Sequence, residues 1–122
     1  MLINAKKGGF IMESQLELNE ERIRLFERFM QVLPEVGTAE LDLLSHIYKD
    51  GVLSRKMKFL LALAVALGTG CTMCVLAQTM SALDAGATRE EILETISVVV
   101  AMRGTTGSAE SLRVIKLLDE LE

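Results

Sequence analysis

The sequence predicts an all-α protein, a single domain built as a bundle of about six helices. Three observations carry that prediction. A chain of 122 residues fits one domain of ordinary size. Its hydrophobic half is made of Leu, Ala, Val, Ile and seven Met, with aromatics at 4%, no Trp and one Pro, a mixture that favours helices over sheets. Apolar residues recur three or four apart between recognisable caps. The best strand candidate, the β-branched run Ser97 to Val100, sits inside a capped helical pattern.

Taken in order, Ser14 and Glu17 form a capping box, so a helix opens near Gln15 and presents Ile23, Phe26, Met30 and Leu33 on one side until Pro34 ends it. Thr38 can cap a second, short helix carrying Leu41, Leu44, Ile47 and Tyr48, with Gly51 as its left-handed stop. Ser54 begins a third. From Phe59 to Leu67 it is apolar on every face, too short a run to span a bilayer, so it predicts a buried helix and a subunit interface to complete its cover. Gly68-Thr69-Gly70 breaks it, and Cys71-Thr72-Met73-Cys74 opens a fourth helix through Leu76, Met80 and Leu83 to Ala85, stopped by Gly86. A second capping box, Thr88 with Glu91, precedes a fifth helix bearing Ile92, Ile96, Val99 and Val100. Arg103 and Gly104 close that helix, and Thr105 to Ser108 reads as a flexible connection. A sixth helix then carries Leu112, Ile115, Leu118 and Leu121 on one side.

Thirteen Lys plus Arg against 17 Asp plus Glu give a formal net charge of -4, spread evenly, which argues against nucleic acid as a partner. Two lysines near the start are followed by no apolar run, so no secretory signal is legible and a cytoplasmic protein without membrane attachment is expected. Residues 1–13 read as a flexible tail ahead of a helical domain over 14–122. Codons for Lys7, Gly8 and Gly9 can spell a ribosome-binding sequence, which predicts native translation from Met12.

The Cys-x-x-Cys pair is the constellation that carries chemistry. Positions i and i+3 share a helix face, and the free N–H groups of a first turn stabilise a thiolate, most of all that of Cys71. One thiolate can attack a peroxide or disulfide and the other can resolve the product, since an internal disulfide needs Cα atoms about 4.4 to 6.8 Å apart. The plain alternative is two inert, buried cysteines. A zinc site wants four N or S ligands against two Cys and one His, so no metal and no cofactor is expected. His46 reads as a surface or half-buried imidazole that would serve as a proton acceptor only if it approached the cysteines. Gln78, one turn beyond Cys74, can hydrogen-bond a thiolate but cannot act as a base. Met57, Met73, Met80 and Met102 read as packing filler, and Arg103 as a satisfied C-terminal cation.

Asp50-Gly51-Val52-Leu53-Ser54-Arg55-Lys56, the Leu/Ala run, Gly70-Cys71-Thr72-Met73-Cys74, and above all Leu83-Asp84-Ala85-Gly86-Ala87-Thr88-Arg89-Glu90-Glu91-Ile92-Leu93 resemble the carboxymuconolactone decarboxylase and alkyl hydroperoxidase D superfamily. The resemblance covers more than half the chain in the family's order. It implies an alkyl hydroperoxidase D-like helical fold assembled as a homo-oligomer, a trimer or hexamer. In the peroxidase branch it implies a thiol pair that reduces a small peroxide or disulfide and is recycled by a thiol redox partner protein. There the second cysteine, matching Cys74, attacks and the first resolves, whereas the helix dipole favours Cys71. The branch also carries a His four residues after the second Cys and a Glu twelve before the first. Here Gln78 and Phe59 stand at those places, removing general acid–base help typically worth about 10²- to 10⁴-fold. The expected function is a thiol-disulfide oxidoreductase or weak alkylhydroperoxidase using Cys71 and Cys74, with Gln78 and His46 as candidate polar neighbours. The alternatives are a non-catalytic helical small-ligand binder and a lactone-decarboxylating lyase.

Overall fold

The computed structural model describes residues 12–122. Among them are six helices and no strand: α1 (Gln15–Val32), α2 (Pro34–Ile47), α3 (Arg55–Thr69), α4 (Thr72–Asp84), α5 (Arg89–Arg103) and α6 (Thr105–Glu120). The segment with Lys7, Gly8 and Gly9, and most of the expected tail, lies outside the described residues. None of the described helices is long and apolar enough to cross a membrane.

The four C-terminal helices make the core. α3 packs most extensively on α4 and also against α5, which pairs with α6. Leu63, Leu67, Val75, Leu76, Ile92, Val114 and Leu117 have no exposed surface. At roughly 1.5 to 3 kcal/mol for each such side chain, they supply a large part of the driving force. α1 lies against α2, α4 and α6, whereas α2 packs on α1 alone among the helices. This hairpin leaves a space between itself and α3–α4.

Local chemistry explains most boundaries. Ser54 and Thr88 accept from the third backbone N–H of α3 and α5, and Thr88 with Glu91 forms both halves of its box. Gly70, Gly86 and Gly104 take positive φ at the ends of α3, α4 and α5. The box at Ser14 is only half made. Its hydroxyl accepts from Glu17 N–H, but the returning carboxylate is that of Glu120, which accepts hydrogen bonds from the Ser14 hydroxyl and, at 2.7 Å, from the Gln15 N–H. Those hydrogen bonds, led by Ser14, hold the Glu120 carboxyl below its ordinary pKa.

Several further expectations need correction. α2 begins at Pro34 itself, not at Thr38, because proline is well placed in a first turn where no N–H is needed. Gly51 is not a left-handed stop; α2 ends at Ile47, and the positive-φ glycines lie elsewhere. Thr105 to Ser108 is no loop, since α6 starts directly after Gly104. The inward face of α6 is Gly107, Ser111, Val114, Leu117 and Leu118, leaving Leu112, Ile115 and Leu121 outside. α3, for its part, buries Phe59, Leu60, Leu63, Ala66 and Leu67 but exposes Leu61 and Val65 beside Val98 and Met102 of α5. Met57, Met73 and Met102 are surface residues rather than filler.

Candidate functional site

Gly70 turns the chain out of α3 with φ 76°, and the next residue, Cys71, is the extended N-cap of α4. Cys74 therefore stands at the third position of α4, one turn on. Its backbone N–H donates to Cys71 Sγ at 3.3 Å. The two sulfurs are joined as a disulfide with Cα atoms 5.2 Å apart, inside the range the bond requires. Cys74 is exposed and Cys71 half-buried, so the pair is neither sealed from water nor pointing apart. The turn itself is braced by Arg103, whose Nη1 donates to the Leu67 carbonyl at 2.9 Å. That guanidinium thus caps the end of α3 as well as closing α5.

Cys74 opens on a cavity of about 800 Å³ between the α1–α2 hairpin and α3–α4. Cys71 does not line it. One wall is α4, with Met73, Cys74, Ala77, Gln78 and Ser81, residues that share a face at helical spacing. Facing it, Phe59 stacks on Tyr48 with ring centroids 4.3 Å apart, and the Arg55 guanidinium lies 4.9 Å from the Phe59 centroid. The third wall is α1, whose Arg22, Phe26 and Phe29 also fall on one face. Phe26 and Phe29 stack at 5.8 Å.

Gln78 thus lies where the i+4 spacing from Cys74 places it. Its Oε1 is buried and accepts no hydrogen bond among the described residues. An unpaired buried acceptor costs about 1 to 3 kcal/mol, and this oxygen is shielded from the cavity although the Gln78 residue lines it. His46 is elsewhere. It is exposed on α2, 3.6 Å from Asp42, and is absent from the cavity lining although Leu44 and Ser45 contribute to it. Burial alone pushes the Arg22 guanidinium below its ordinary pKa. Arg22, Arg55 and Tyr48 were not legible in the sequence as site residues. The signal for the first was present in the 22-26-29 spacing, a cation in register with two aromatic rings.

Residues 34–117 match the sequence profile of the Carboxymuconolactone decarboxylase family. The chain belongs to the carboxymuconolactone decarboxylase family. A protein described as uncharacterized protein 4 in the cox locus of Paracoccus denitrificans is 34% identical over 87 residues, spanning 71% of this chain and 78% of its own. An uncharacterized protein of Cupriavidus necator is 32% identical over 98 residues, 80% of this chain and 87% of its own. The crystal structure of an apo carboxymuconolactone decarboxylase family protein from Legionella pneumophila superposes with a TM-score of 0.81 at 27% identity, covering 89% of this chain and 97% of that one. The matched residues 34–117 include both cysteines, Gln78, Phe59 and Arg55. They begin after α1, so Arg22, Phe26 and Phe29 belong to a wall that the family profile does not describe.

Proposed function

We propose that the chain is a cytoplasmic thiol-disulfide oxidoreductase with weak alkylhydroperoxidase-like activity, in which Cys74 meets the substrate and Cys71 resolves it. The observation that carries this reading is a Cys71–Cys74 disulfide at a helix N-terminus whose second cysteine lines a substrate-sized cavity. In the reduced state the Cys74 thiolate attacks the distal oxygen of a hydroperoxide. The O–O bond breaks, leaving Cys74 sulfenic acid and an alkoxide that departs as the alcohol once protonated. Cys71 sulfur then displaces hydroxide from that sulfenic acid, and with the Cys71 proton the hydroxide leaves as water. The dithiol gives up the two electrons that the peroxide gains.

Return to the dithiol uses a reduced thiol partner, which attacks exposed Cys74 and expels Cys71. The departing Cys71 thiolate is held by the Cys74 N–H and by the positive end of α4, and a stabilised leaving thiolate speeds exchange. This departs from the expectation that the dipole makes Cys71 the attacking thiol: the dipole here favours Cys71 as leaving group, and access to the cavity favours Cys74 as the point of attack. Among the described residues no imidazole or carboxylate takes the place of the peroxidase branch's relay, so turnover is slow. The exposed apolar strip of Leu61, Val65, Val98 and Met102 fits a contact with a second copy of the chain, supporting a homo-oligomer.

Counting alkylatable thiols tests the chemistry. Reduced protein should lose both thiols on adding one equivalent of an alkyl hydroperoxide, Cys71→Ser should stop at a sulfenic acid on Cys74, and Cys74→Ser should not react faster than free thiol. Equal consumption by both variants would overturn the assignment. Family membership favours a second reading, a lyase on a carboxylated lactone, which requires product formation by the variant lacking both cysteines.

A further inference from the structure

We infer that the cavity beside Cys74 takes an amphipathic organic acid, its carboxylate met by Arg22 and Arg55 and its apolar body lying among Phe26, Phe29, Tyr48 and Phe59. The protein carries a formal net charge of -4, yet two guanidinium groups line this one cavity. Neither has a carboxylate within ion-pair distance among the described residues. Arg22 instead donates to the Asn19 side chain at 2.9 Å, and Arg55 rests on the Phe59 ring. Glu40 is also on the wall, unpaired with either, so the lining retains one net positive charge.

Burial disfavours the charged form of Arg22, and an anion in the cavity offsets that cost. The planar guanidinium suits a carboxylate in two-pronged contact. The rest of the lining is mostly apolar and aromatic, which suits an alkyl or aryl body and not a small polar metabolite. As the substrate of the thiol pair, the molecule is then an organic hydroperoxide bearing a carboxylate. That step rests on the reading above, whereas the binding itself does not.

Binding to the oxidised protein, where no thiol chemistry runs, separates the two. Octanoate and octanol serve as probes in equilibrium dialysis, with Tyr48 emission as a reporter inside the cavity, since the chain has one Tyr and no Trp. Octanoate should bind about tenfold or more tighter than octanol, as one charge-assisted hydrogen bond alone provides. Arg22→Gln and Arg55→Gln should each cut octanoate binding and leave octanol unchanged, and Arg22→Lys should keep most of the preference. Because Arg55 also supports the Phe59 ring, Arg22→Gln decides if the other variant fails to fold. Equal affinity for the two probes, or a preference untouched by Arg22→Gln, would overturn the inference. The thiol reading would survive that result, and conversely inert cysteines with an intact octanoate preference would leave this inference standing.

Discussion

Replacing Gln78 with Leu separates what the site costs from what it does. Its Oε1 is buried without a hydrogen-bond partner, and the cost of such an acceptor is about 1 to 3 kcal/mol. Leucine has similar helix propensity and removes the acceptor, so the variant should be more stable by about 1 to 2 kcal/mol. Unfolding entropy near 2.1 cal/mol/K per residue makes each kcal/mol worth about 4 °C for a chain of 122 residues, so the melting temperature should rise by about 4 to 8 °C. The same variant should reduce a hydroperoxide or exchange with a disulfide at about the wild-type rate, because the oxygen it removes is shielded from the cavity. Thermal unfolding followed by circular dichroism, run beside a thiol-consumption assay, reads both quantities. A variant that is less stable, or much slower, would refute the reading of this oxygen as an unpaired acceptor shielded from substrate.

The converse substitution, Gln78→His, places an imidazole one turn from Cys74. It should speed hydroperoxide reduction by about 10- to 100-fold, short of the full range for acid–base assistance because Phe59 leaves the ring without an orienting carboxylate; stopped-flow thiol oxidation measures it. Leu63→Ala, at a site with no exposed surface in the middle of α3, should cost about 3 to 5 kcal/mol in urea unfolding. Acid should loosen the junction of α1 and α6. Glu120 has a folded pKa below its unfolded value near 4.3, so its contribution is complete above that pH and disappears as pH falls through the lower, folded value. Glu120→Gln should flatten the stability–pH slope in that window, with a residual slope from Glu91, which the hydrogen bond from Lys56 lowers first and the Thr88 N–H second. Unfolding curves at a series of acid pH values give the slopes.

What the sequence made legible was mostly local. The starts of α3 and α5 follow from Ser54 and Thr88, whose side chains satisfy N–H groups three residues away. The proximity of the cysteines and of Gln78 to Cys74 follows from helical spacing alone. Pro34 was half legible: it ends one helix and, lacking an N–H, starts the next. The face of α6 was hidden because it packs through Gly107 and Ser111, small residues that a search for apolar stripes passes over. At Gly107 an added Cβ would lie 3.2 Å from the Val99 carbonyl oxygen, a close approach that hydrophobicity does not encode. The Ser14–Glu120 contact joins residues 106 apart and leaves no local trace. The cavity was illegible for the same reason. That Arg22 on α1 faces Cys74 on α4, while His46 faces outward, is decided by how the α1–α2 hairpin leans on the bundle and not by any spacing within it.

Redox titration of the native protein against a reference dithiol tests the exchanging pair most directly. The account predicts one reversible two-electron transition, with a tenfold change in equilibrium constant for about every 30 mV and with helical circular dichroism unchanged across it. Cysteines that resist reduction until the chain unfolds, or a chain that unfolds once they are reduced, would contradict it.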